Sequence, residues 1–99
     1  MTTETSANNV KEHKFILFVA GMSVKSMKAI ENINTICDTY LAGNFDLKII
    51  DVYKHPTLAK EHQIVGLPTL IRTGPIPSRV IIGDLSETDK VLKILDIQK

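Results

Sequence analysis

The residues of this 99-residue chain with most chemical capacity are Cys37, the histidines His13, His55 and His62, and the aspartates Asp51 and Asp84. A lone cysteine forms no internal disulfide and suits a reducing compartment, so a cytoplasmic location is expected. Cys37 also falls on an apolar stripe at helical spacing with Met27, Ile30, Ile33 and Tyr40, where a cysteine acts as a small buried hydrophobe. The alternative, a redox or oxidative-stress protein using Cys37, requires an exposed, low-pKa thiol. His55 and His62 share one potential helix face, but Pro56 lies between them. No cysteine or carboxylate completes a zinc set, so capping or surface roles are expected. Asp51 and Asp84 stand near strand ends, where turn and cap duties are commoner than paired acid–base work. No phosphate-binding loop or Gly-x-Ser-x-Gly elbow is present.

The elements that must position these residues follow from periodicity. Residues 1 to about 12 are polar and read as a disordered tail, with 13–99 as a single domain. Lys14 to Ala20 (KFILFVA) is a continuous apolar run suited to a central strand. A helix is expected from Ser23, its N-cap, to about Leu41, with Gly43 and Asn44 as the stop. Leu47 to Val52 is a second strand, rich in β-branched residues. His55 and Pro56 open a short helix running to about His62. Thr69 to Arg72 and Arg79 to Ile82 are strands flanking a loop with Gly74, Pro75 and Pro77. Ser86 is the expected cap of a last helix, with Asp89 in its first turn and Val91, Leu92 and Leu95 on its apolar face.

The resulting order, β-α-β-α-β-β-α, gives an α/β sandwich around a four-stranded mixed sheet. The first strand pair is parallel with a right-handed crossover, and the last pair is an antiparallel hairpin. Composition agrees with a globular domain: 43% hydrophobic, 23% charged, formal net charge +1. That balance points away from nucleic acid, and no apolar run approaches the ~20 residues of a bilayer span. The order resembles a thioredoxin-like fold, and Ile64-Val-Gly-Leu-Pro-Thr-Leu70 is similar to the cis-proline segment of thioredoxins. In that alignment Ser23 and Ser26 occupy the Cys-x-x-Cys positions. Hydroxyls neither form disulfides nor ionise near neutral pH, which excludes dithiol exchange.

A more specific match is carried by Phe18-Val-Ala-Gly21, Leu47-Lys-Ile-Ile-Asp-Val52, Pro68-Thr-Leu70, Ile81-Ile-Gly-Asp-Leu-Ser86 and Lys90-Val-Leu92. These motifs, in register from about residue 14 to residue 96, resemble the KaiB family. The resemblance implies a non-enzymatic regulator without a cofactor. Its partner would be the N-terminal ATPase ring of a KaiC-like hexamer, with a KaiA-like or histidine-kinase partner in addition, and its output timekeeping or stress adaptation. It also implies homo-oligomers, dimers or tetramers, and an alternative ground-state fold, β-α-β-β-α-α-β, in which residues after about Tyr53 repack. Lys28 and Lys48 match basic positions near the family's contact surface, and the second strand is expected to be a sheet edge open to strand addition.

Pro68, Pro75, Pro77, Ile94 and Asp96 are the expected pivots of the fold change. Uncatalysed proline isomerisation would add on the order of tens of seconds to it. Ile94 replaces a glycine common in the family. Removing that glycine is worth roughly 0.5–1 kcal/mol to a helix, which tilts the balance toward the thioredoxin-like state, partly offset by isoleucine's strand preference. The sequence also departs at Ile76, where a second proline is usual. It ends at Lys99, where family members often extend into an acidic tail.

Overall fold

A computed structural model of the chain describes residues 12–98. The expected polar tail lies outside the described residues except for Glu12. The backbone N–H of Glu12 donates to Asn44 Oδ1 at 2.8 Å.

The elements run β1 (His13–Val19), α1 (Val24–Tyr40), β2 (Phe45–Asp51), α2 (Pro56–Glu61), β3 (Thr69–Gly74), β4 (Arg79–Ile82) and α3 (Thr88–Ile94). The order is the one the sequence predicts, with ends displaced by one or two residues at several elements. The four-stranded sheet has the order β2-β1-β3-β4. β1 pairs parallel with β2, while β3 is antiparallel to both β1 and β4. The apolar run therefore lies at the centre of the sheet, where both faces of a strand need covering.

Phe15, Leu17 and Val19 point to one face and join Leu70 with Ala29, Ile33, Ile36 and Cys37 of α1 and Val91 and Leu92 of α3 in the main core. From the opposite face the ring of His62, just past α2, packs on the buried Phe18 with centroids 5.3 Å apart. A fully buried apolar side chain contributes about 1.5–3 kcal/mol, so the main core carries most of the fold's stability.

α1 is long and well capped. Ser23 is its N-cap, accepting from the Ser26 N–H through its hydroxyl. Its buried face is rotated from the predicted stripe. Ala29 and Ile36 join Ile33 and Cys37 inside, while Met27 is 46% exposed. The two stripes share Ile33 and Cys37, Ile30 and Tyr40 of the predicted one pack half-buried against the same core, and small Ala29 gives little apolar signal in sequence. The helix ends at Tyr40 with Leu41 as C-cap. Ala42 and Gly43 are both left-handed just beyond it, earlier than the predicted stop at Gly43 and Asn44.

Ser86 does not cap α3. The cap position is Glu87, which makes no side-chain capping bond. Ser86 belongs instead to the preceding turn: its N–H donates to Asp84 Oδ1 at 3.0 Å, and its carbonyl accepts from the Thr88 N–H. Competition from a neighbouring carboxylate is what removes it from the helix.

Candidate functional site

The end of the sheet that carries the start of α1 is a network of turns. Ser26 is fully buried; its hydroxyl oxygen accepts from the Ala20 N–H at 2.9 Å and from the Ser23 hydroxyl at 2.8 Å. Both serines are thus occupied in closing the β1–α1 turn. Asp51 ties that turn to the end of β2, with Oδ1 accepting from the N–H groups of Gly21 and Tyr53. Gly21 itself is left-handed, which suits a residue without Cβ at this bend.

On the other side of the same end, the Gly83 N–H donates to the carbonyl of Pro68 at 2.9 Å, fixing the proline loop to the end of β4. The Leu67–Pro68 bond is cis, and Pro68 is buried. Asn32 of α1 donates to the Asp84 carbonyl at 2.8 Å. The run Gly83-Asp84-Leu85-Ser86 thereby joins β4, α1 and α3. Bonds from Ser86 hold the Asp84 carboxyl below its ordinary value, with Lys28 and Lys25 adding smaller contributions. Both aspartates serve as turn acceptors.

Cys37 is completely buried on α1, and burial, followed by the charge of Asp38, pushes its thiol up to about 12. Such a thiol is protonated at neutral pH and cannot act as a nucleophile. Among the described residues no cluster of His, Cys, Asp or Glu is fit to hold a metal ion, and no helix is long and apolar enough to cross a membrane.

Lys48 projects from β2, an edge strand, and is exposed. It lies level with Ile16 of β1, on the face away from α1. Lys28 is also exposed but sits on α1 on the side facing Asp84, toward the β4 edge. The structure therefore does not bring the two lysines together; they border opposite edges of the sheet. Pro75, Pro77 and Asp96 do come together, around a cavity of about 400 Å³ also lined by Arg72. Pro68 stands apart at the far end of β3, and Ile94 lines a separate groove between β4 and α3.

The residues that sequence reasoning missed are two arginines. Arg72 is only 2% exposed, and its guanidinium donates to the carbonyls of Leu95 and Pro77. Arg79 donates through Nε to the Ile94 carbonyl at 3.2 Å and lies 3.9 Å from the Asp96 carboxylate. Together they hold the C-terminal end of α3, where carbonyls lack helical partners and cations are favoured. Strand alternation was the available signal: Leu70 and Arg72 share a face, so Arg72 had to enter the core.

Comparison with known proteins places these features. A family model described as the KaiB domain matches residues 16–97. A circadian clock oscillator protein KaiB from Acaryochloris marina is 44% identical over 87 residues, spanning 88% of this chain and 84% of that protein. A circadian clock protein KaiB3 from Synechocystis is 47% identical over 81 residues, spanning 82% of this chain and 79% of its own. Among solved structures, the N-terminal domain of Synechococcus elongatus SasA superposes with a TM-score of 0.71 at 23% identity, covering 88% of this chain and 86% of that one. The thioredoxin Deadhead from Drosophila melanogaster gives 0.69 at 14% identity, covering 95% of this chain and 87% of that one. At these identities the superpositions establish a thioredoxin-like fold.

Proposed function

The chain belongs to the KaiB family, and on that premise we propose that it is a non-enzymatic binding protein of a Kai-type system that attaches to a KaiC-like ATPase ring. The observation that carries this reading is the edge position of β2, which pairs only with β1 among the described residues, with the exposed Lys48 upon it. An edge strand offers unpaired N–H and C=O groups to a partner's strand, and a lysine beside them steers an acidic partner. A KaiA-like protein or a histidine kinase competes for or extends the same complex. The serines support the absence of redox work, since both hydroxyls are consumed in a turn. The location that fits this role is the cytoplasm.

Binding is coupled to a change of fold in the C-terminal half. In support, α2 spans six residues and buries none, and α3 spans seven; neither has a side-chain N-cap bond. α1, by contrast, has 17 residues and a serine cap. Short uncapped helices are marginal alone and depend on tertiary contacts, so this half has little local commitment to one packing. Lys28 borders the β4 edge, so it belongs to this interface only if the partner also extends across α1.

The test is co-elution with a KaiC-like hexamer. Wild-type protein is expected to travel with the ring, and Lys48→Glu to lose at least tenfold in affinity, about 1.4 kcal/mol. Undiminished binding by Lys48→Glu would remove the β2 edge from the interface, and no binding by the wild type would sink the reading.

A further inference from the structure

We infer that the cavity under the Pro75–Pro77 loop is a binding site for a small carboxylate with a short apolar body. Its place follows from the sheet. His13 and Phe15 of β1 share a face, their rings stacked with centroids 6.0 Å apart, and Phe15 pairs with Arg72 of β3. Strand alternation therefore brings His13 and Arg72 to the same side of the sheet. Tyr40 at the end of α1 and Ile97 beyond α3 complete the walls. The space enclosed, about 400 Å³, lies at the lower end of the ~300–1,000 Å³ of ligand pockets, which fits a small molecule.

The walls carry polar groups that the chain leaves unsatisfied. Arg72 uses two of a guanidinium's five N–H donors, on the carbonyls of Leu95 and Pro77. Its Nε is buried without a partner, and so is Nδ1 of His13, whose Nε2 lies 3.5 Å from the Glu12 carboxylate. Charge is the stronger signal. Arg72 is 2% exposed and always cationic, yet no carboxylate lies within ion-pair distance of it among the described residues. A buried cation is costly unless an anion meets it. Two carbonyl dipoles offset part of that cost and leave the net charge in place.

Glu12 and Asp96 stand at the rim and do not supply the anion. Their side chains are 63% and 74% exposed; Glu12 accepts from Asn44, and Asp96 faces Arg79 at 3.9 Å. Water screens both. A ligand carboxylate entering beneath the loop offers its two planar oxygens to the remaining N–H groups of Arg72 and to His13. Its apolar body lies against Pro75, Ile76 and Ile97. One negative charge balances one guanidinium. A doubly charged phosphate would overshoot it, because the carbonyl ends of α1 and α3 also border this space.

The cavity uses no residue of β2, so its failure would leave the proposed partner binding untouched, and the converse also holds. The probe is sodium isovalerate, titrated into the full chain at constant ionic strength and followed by proton–nitrogen correlation NMR. Saturable shifts at His13, Tyr40, Arg72 and Ile97 are expected, with a Kd on the order of 1 mM. The thermal midpoint should rise with isovalerate concentration, as for any ligand of the folded state. Isovaleramide, which has the same shape without the charge, should bind about tenfold more weakly.

His13→Phe keeps a ring on Phe15, and Arg72→Lys keeps the charge without the planar fork. Each should weaken isovalerate about threefold or more, with folding checked by circular dichroism. The amide comparison needs no variant, so it decides the matter even where Arg72→Lys does not fold. Absence of saturable shifts at these residues, equal binding of isovaleramide, or undiminished binding by both variants would overturn the site. Equal displacement by inorganic phosphate would overturn the ligand class. Tighter binding of the peptide acetyl-Gly-Gly-Val, through its free carboxyl terminus, would overturn the small-molecule assignment in favour of a protein tail.

Discussion

The hydroxyl of Ser26 is buried at the start of α1, and its burial follows from the bonds it completes. It accepts from the Ala20 N–H and the Ser23 hydroxyl in a site with no exposed surface. Ser26→Ala leaves the Ala20 N–H without that partner, and an orphaned buried donor costs about 1–3 kcal/mol. Urea denaturation should show that loss; an unchanged midpoint would mean the turn closes by other bonds. Cys37 makes a sharper case, because its thiol is pushed up to about 12 by burial and by Asp38. Native protein should resist a thiol reagent that labels it fully in denaturant, and rapid native labelling would contradict the packing of α1. Asp84 titrates in the opposite sense. Its folded pKa is depressed by the bonds from Ser86, so its contribution is present above the unfolded value and is lost as pH falls through the folded one. NMR titration should place its midpoint below the ordinary 3.8, and Ser86→Ala should raise it. A midpoint unmoved by that change would assign the shift to Lys28 and Lys25.

At the scale of elements, α3 is defined by how it ends. The Asp96 N–H donates to the Lys93 carbonyl and the Ile97 N–H to the Leu92 carbonyl, with Asp96 left-handed at φ 56°. That is a Schellman ending, with aspartate where glycine is usual and the buried Ile97 and Leu92 as its apolar contact. A β-branched residue tolerates the left-handed region poorly, so Asp96→Val should destabilise the protein by about 1–2 kcal/mol and Asp96→Gly by less. Thermal unfolding of the two variants would reverse the assignment if Val were tolerated as well as Gly. Arg72 closes the same end from the core. The sequence made the strand legible through its alternation, but the burial of an arginine depends on the Leu95 and Pro77 carbonyls that accept from it. Those acceptors come from segments distant in the chain, which no local pattern reports. Ser86 is illegible for the same kind of reason. Its residue type fits a cap, and only the Asp84 carboxylate reaching its N–H assigns it to a turn.

Over the whole molecule, the order and pairing of the strands were legible because KFILFVA is apolar on both faces and so had to be central. The candidate site was less legible, because Lys28 and Lys48 each look like ordinary solvated lysines until the sheet assigns them to opposite edges. The proposed division between a committed and an uncommitted half is likewise argued over the whole molecule. β1, α1 and β2 form a parallel unit with a long capped helix. The half after Tyr53 relies on short helices and on arginine bonds to the end of α3. In the proposed change of fold, Ile94 is the residue to probe. It is half-buried against the β4 groove, and its carbonyl accepts from Arg79. Ile94→Gly withdraws that packing and lowers helix propensity by roughly 0.5 kcal/mol while leaving every side chain of β1, α1 and β2 unchanged. If the second half has an alternative packing of similar free energy, NMR of Ile94→Gly should show new strand signals for residues 88–96, with β1, α1 and β2 shifts retained. Arg72→Leu should act in the same direction, since it frees the same helix end. Uniform loss of stability in both variants, with no second set of signals, would mean a single packing and would remove the fold change from the proposed mechanism.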